Sequence, residues 1–217
     1  MSQTITEKPD RPGAAAWVPP DASVEQLRAA APQCRGCELW EPATQVVFSA
    51  GNVEAAVALV GEQPGDVEDQ RGIPFVGPAG ALLQRALDEA GVPRGEVYVT
   101  NAVKHFRFFT RGKRRIHQTP EAAHIAACRP WLTAELQRVR PQLVVVLGAT
   151  AAKSLLGNDF RVTRERGKVL TKDTTTGPVK FLATVHPSSV LRAPDGERDA
   201  AYQALVADLR KVTEELV

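Results

Sequence analysis

Four groups of residues in this chain have the types and spacing to do chemistry. The first is Gly61-Glu62-Gln63-Pro64-Gly65 with Asp66, followed by Pro74-Phe75-Val76-Gly77. Its glycines let backbone N–H groups approach a ligand closely, and Glu62, Gln63 and Asp66 add polar groups. No Gly-Lys-Ser/Thr follows, so this is not a phosphate-binding P-loop; a plain Gly/Pro turn is the alternative. The second group is Cys34-Arg35-Gly36-Cys37 with Cys128. A Cys-x-x-Cys pair serves redox chemistry, zinc and iron–sulfur clusters alike. With His105 or His124 as a fourth soft ligand, the set suits tetrahedral zinc or a 4Fe–4S cluster with one imidazole. Otherwise Cys128 is simply a buried helix residue.

The third group is a basic run. Arg107, Arg111, Lys113, Arg114 and Arg115 are interleaved with Phe106, Phe108 and Phe109, and His117 closes the run. Such cations neutralise phosphates, and the aromatics either stack on bases or anchor the loop; a solvated charged surface is the competing reading. The fourth group is Asn101, near the end of a strand-like run, together with His186-Pro187-Ser188-Ser189 directly after another.

Elements that could position these groups are visible as periodicity. Residues 55–60, 97–103 and 143–147 are apolar runs of strand length, and 169–170 and 179–185 read as two further strands about a Thr-rich turn. The pure aliphatic run 143–147 is what a strand buried on both faces of a parallel sheet requires. Helical patterns cover residues 82–90, about 120–138 (with Thr119 as N-cap and Pro120 at the first position), 149–157 and 197–212. Ser23 is an N-cap for a short helix from Val24. Strands alternating with helices predict an α/β fold, three layers α/β/α around a mostly parallel four-stranded sheet. Three of the polar groups follow strands, so a parallel sheet would bring them to one edge, where α/β folds bind ligands. Residues 1–20 read as a flexible tail and 21–217 as a single domain.

The totals exclude several classes. The chain has 217 residues, 43% of them hydrophobic, and a net charge of +2, too small to argue nucleic-acid binding by itself. No run is long enough to span a membrane, and the N-terminus has no signal-peptide pattern, so a cytoplasmic protein is expected. Three cysteines do not make a disulfide framework.

Taken in order, Cys34-x-x-Cys37, Gly61-Glu62-x-Pro64-Gly65, Pro74-Phe75-Val76-Gly77, Thr100-Asn101-x-Val103-Lys104, Cys128 and His186-Pro187-Ser188 resemble the uracil-DNA glycosylase superfamily. Within it they resemble the iron–sulfur family 4, over nearly everything from Cys34 to the last helix. Three departures stand out: His105 where family 4 has Cys, the insertion Lys113-Arg114-Arg115-Ile116-His117, and Glu62-Gln63 where a small residue follows the Glu. The insertion and the Glu-Gln pair resemble the DNA-crosslinking branch, UdgX.

The resemblance implies a uracil-DNA glycosylase-like fold and excision of uracil from DNA, with single strands preferred and the protein acting as a monomer. It implies a 4Fe–4S cluster on Cys34, Cys37, His105 and Cys128. Uracil would meet Gly61, Gln63, Asp66, Phe75, Asn101 and His186: Phe75 stacking, Asn101 pairing with N3–H and O4, His186 donating to O2. His117 would attack C1′ of the deoxyribose, with Glu62 orienting or deprotonating it and Gln63 holding the loop or a water. Lys113, Arg114, Arg115, Ser188 and Ser189 would grip DNA phosphates. A turning-over family 4 glycosylase and a zinc-containing DNA-binding module are the rivals.

Overall fold

The computed structural model describes residues 10–216. In chain order its strands are β1 (Ser49–Gly51), β2 (Val57–Gly61), β3 (Val97–Asn101), β4 (Phe108–Arg111), β5 (Arg114–His117), β6 (Leu143–Leu147), β7 (Val169–Thr174) and β8 (Gly177–Thr184). Its α-helices are α1 (Val24–Ala30), α2 (Asp66–Arg71), α3 (Pro78–Glu89), α4 (Ala122–Val139), α5 (Ala149–Leu156), α6 (Val162–Glu165), α7 (Pro187–Leu191) and α8 (Arg198–Glu215).

Six strands form the central sheet in the order β1-β3-β2-β6-β8-β7. The inner four, β3, β2, β6 and β8, are mutually parallel, as expected, while β1 and β7 add antiparallel edges. Strands β2, β3 and β6 are buried along their whole length because helices cover both faces. Alternate residues sort into two cores. Leu59, Val99, Val145 and Leu182 pack against α3 and α8. Ala58, Val60, Val144, Val146 and Phe181 pack beneath α4 and α5. This is the three-layer α/β/α arrangement.

Four local differences from the sequence reading have physical causes. The basic run is no open loop but a hairpin, β4–β5, closed at Gly112 with φ 60° and registering Phe108 against His117. Helix α4 starts two residues later than Thr119: Glu121 is its N-cap, because its backbone N–H donates to Nδ1 of His124 at 3.0 Å. The run Gln45-Val46-Val47-Phe48, strand-like in sequence, stays outside the sheet, and the edge strand lies just after it at Ser49–Gly51, where β1 pairs with β3. Residues 10–20, read as tail, pack against the domain: Ala14 is buried, and Arg11 bonds Glu38 and Glu121. Residues 1–9 lie outside the described part of the chain.

Candidate functional site: a cleft at the carboxyl edge of the sheet

Parallel β2, β3, β6 and β8 all end on one side, and the segments that follow them line a cleft of about 770 Å³. Glu62 and Gln63 follow β2, Asn101 ends β3, Gly148 follows β6 and His186 follows β8. The convergence read from strand order is what the fold delivers.

The floor is shaped by an absence of side chain. A Cβ on Gly61 would stand 2.3 Å from Oδ1 of Asn101 and 2.6 Å from Cζ of Phe75, so only glycine lets these two groups meet there. Phe75 has φ 56°, the left-handed region that a bulky residue enters only under strain. Gly80 makes this possible, since a Cβ there would fall 1.8 Å from the Phe75 carbonyl oxygen. The strained backbone aims the ring into the cleft, 6.2 Å from the His186 ring and inclined 30° to it. Oδ1 of Asn101 is buried and has no hydrogen-bond partner within the protein. A buried acceptor left unpaired costs about 1–3 kcal/mol, and a ligand N–H in the cleft would relieve it.

His186 has a defined tautomer. The backbone N–H of Ser188 can only donate, and it points at Nδ1 at 3.2 Å. Nδ1 is therefore an acceptor, the Ser188 hydroxyl donates to it as well at 2.8 Å, and the ring proton sits on Nε2. Burial pushes the His186 pKa down to about 4, so at neutral pH the ring is uncharged and a donor at Nε2. The hydroxyl of Ser189 donates to the His186 carbonyl at 2.7 Å. Both serine hydroxyls are thus engaged by the His186 turn while the two residues line the cleft.

His117, at the end of β5, reaches the cleft mouth with about half its side chain exposed, and its Nε2 lies 3.3 Å from Oε1 of Glu62. The other Glu62 oxygen accepts the hydroxyl of Thr150, a residue for which the sequence offered no signal. Burial alone would raise the Glu62 pKa; hydrogen bonds from His117 and Thr150 outweigh it and hold the carboxyl below its ordinary value.

The hairpin is held by side chains. Gln63 donates to the carbonyls of Arg107 (3.1 Å) and Gln118 (3.2 Å) and accepts the Arg107 N–H (3.0 Å), clamping both ends of the hairpin. Both amide protons are spent there, while Gln63 also lines the cleft. Arg115 bonds Asp66 at 2.6 Å and buried Asp69 at 2.5 Å, with its guanidinium over Phe108. Asp66 is turned to Arg115 and away from the cleft. Neither Arg115 as a phosphate contact nor Asp66 as a uracil contact matches this placement; the pair pins the hairpin to α2. Lys113 and Arg114 at the tip are exposed and, among the described residues, make no ion pair. Glu68, also missed, accepts N–H groups from Gly65 (3.1 Å) and Gly77 (2.8 Å), tying the two Gly/Pro loops together. Its signal was present: an acidic residue three positions after a helix-opening Gly65.

Just beyond the carboxyl end of β3, Cys34, Cys37, His105 and Cys128 all line a second pocket of about 10 Å³. The cysteines are buried and free. Burial pushes the Cys128 thiol up to about 12 and His105 down to about 4. His124 is not among the four: its ring is engaged by Glu38 at 2.8 Å and by the Glu121 N–H. Among the described residues no three such side chains stand in metal-holding geometry. By chemistry the donor set, three thiols and a neutral imidazole, suits a soft metal or cluster.

Comparison with known families decides the lineage: residues 48–210 match the uracil DNA glycosylase superfamily. The chain belongs to that superfamily. Type-4 uracil-DNA glycosylases are among its relatives. The one from Thermotoga maritima is 36% identical over 166 residues, 76% of this chain and 81% of that protein. Those from Archaeoglobus fulgidus and Sulfurisphaera tokodaii are 37% identical over 165 residues (74% and 79%) and 32% identical over 197 (88% and 84%). The matched segment of the glycosylase superfamily contains the whole cleft, from Glu62 to Arg192, and the hairpin within it.

Proposed function

We propose that this protein excises uracil from DNA and then captures the DNA covalently through His117. One observation carries the reading: a single cleft holds the unpartnered Oδ1 of Asn101 and, at its mouth, the His117 ring beside the Glu62 carboxylate.

Uracil reaches such a cleft only when flipped or single-stranded. Oδ1 of Asn101 accepts N3–H and the amide NH2 donates to O4; cytosine, with an acceptor at N3 and a donor at C4, would leave both ends mismatched. Phe75 stacks on the ring. As the glycosidic bond breaks, its electron pair moves onto uracil, and Nε2–H of His186 donates to O2 where that charge appears. The sugar left behind is an electrophile at C1′. The imidazole of His117 attacks it with the lone pair of Nδ1, and the Nε2 proton passes to the Glu62 carboxylate 3.3 Å away. The product is a neutral N-alkyl imidazole, a poor leaving group, so the reaction stops after one turnover.

Lys113 and Arg114 supply the phosphate contacts at the hairpin tip. Cys34, Cys37, His105 and Cys128 fit a 4Fe–4S cluster by donor type, and such a cluster would serve as a structural pin between the segment after β3 and α4. The test is stoichiometry: free uracil released from excess uracil-containing single-stranded DNA should plateau at one per protein chain. Release that continues beyond one would select a conventional type-4 glycosylase, the reading that the relatives' names favour.

A further inference from the structure

Lys104 and Glu135 form an ion pair far from solvent: their side chains are 1% and 0% exposed, and neither lines the cleft. We propose that this pair is a positioning device that registers the uracil-reading end of β3 against the cysteine-bearing helix α4. The inference rests on the proposed function for what Asn101 does.

The ammonium of Lys104 has three protons and three acceptors: Glu135, the Thr100 hydroxyl at 2.6 Å and the Asn101 carbonyl at 3.0 Å. Glu135 in turn accepts the hydroxyls of Tyr98 at 2.8 Å and Thr100 at 2.9 Å. All three ammonium protons are used and both carboxylate oxygens are engaged, and three of the partners lie on β3. The backbone N–H of Lys104 also donates to Sγ of Cys128 at 3.3 Å, two turns before Glu135 on the same helix. Lys104 therefore touches Asn101, Glu135 and Cys128 at once. The register passes onward: the N–H groups of Ala102 and Val103 donate to the carbonyls of Gly61 and Glu62, at 2.9 and 3.0 Å. The segment that carries Asn101 and meets Gly61 and Glu62 is thus tied to α4 through this lysine.

Stability alone does not call for such a pair. Apolar side chains of similar volume replace buried ion pairs at little or no cost, whereas removing one partner is strongly destabilising. What an apolar pair cannot supply is the directed bond to the Asn101 carbonyl. Misplacement of a reacting geometry by about 1 Å costs on the order of 10²-fold in rate.

The test compares the parent with the double variant Lys104→Met/Glu135→Leu, reading uracil release and native-state hydrogen exchange together. The expected result is a variant that melts near the parent, retains the parent's visible absorption and keeps slow exchange in β6. Its Ala102 and Val103 amides should exchange faster, and uracil release should fall about 10²-fold. Unchanged exchange at both amides, or release at the parent rate, would overturn the proposal. If the double variant does not fold, Glu135→Gln, which keeps the shape and loses the charge, gives the same two readings. A parent that releases no uracil refutes the proposed function, while the exchange arm still judges the register.

Discussion

The two walls of the cleft are built differently. One is carried by the sheet: Gly61, Asn101 and His186 sit at the ends of buried parallel strands, and their backbones are fixed by the ladder and by Lys104. The other is carried by a hairpin that touches the domain through side chains, chiefly Gln63, Arg107 and Arg115. Reading a base needs fixed donors and acceptors, and the rigid wall supplies them. In the proposed function, capturing the sugar needs a nucleophile that waits until the base has gone, and the side-chain-tethered wall would carry it as His117.

The largest effect should come from the rigid wall. Asn101→Ala removes both contacts to the uracil edge and should slow base release by about 10²–10³-fold, with the melting temperature lowered little, since Oδ1 has no partner to lose. Single-turnover release measures it; a loss under tenfold would mean that the base is read elsewhere. On the tethered wall, Arg115→Ala strips Asp69 of its cation and should cost about 2 kcal/mol of stability. It should also slow capture more than release, which a rapid-quench comparison of adduct and free uracil would show. Equal slowing of both would mean that the two walls move as one.

A smaller and more local outcome concerns protonation. Burial lowers the His186 pKa to about 4 from the ordinary 6.5, so an NMR titration should find its ring neutral down to about pH 4. Between those two values the unfolded chain takes up a proton that the fold refuses, so this residue makes stability fall as acid is added. Titration near 6.5 would contradict the burial of the ring. Least in size, Lys113→Ala and Arg114→Ala should each weaken DNA binding for every sequence and lower the salt slope by about one.

The same division governs what the sequence revealed. Strand runs such as Leu143–Leu147 are legible because burial on two faces demands an unbroken apolar string, and residues at or just past their carboxyl ends, Glu62, Asn101 and His186, inherit a known place. Arg115 was misread because a cation in a basic run looks alike whether it faces phosphate or Asp69, 46 positions away. Thr150 and the Lys104–Glu135 pair were invisible for the same reason: their partners are distant in sequence and leave no periodic trace. The packing of Arg11 and Ala14 was hidden by Pro- and Gly-rich composition, which looks like tail whatever covers it.

The most direct measurement is to incubate the protein with a uracil-containing single-stranded oligonucleotide, run a denaturing gel and map the attachment by mass spectrometry. The expected result is a band resistant to heat and detergent, absent with a thymine control and with His117→Ala, and carrying deoxyribose on His117. Free abasic DNA accumulating with no such band, or an undiminished band in His117→Ala, would contradict it.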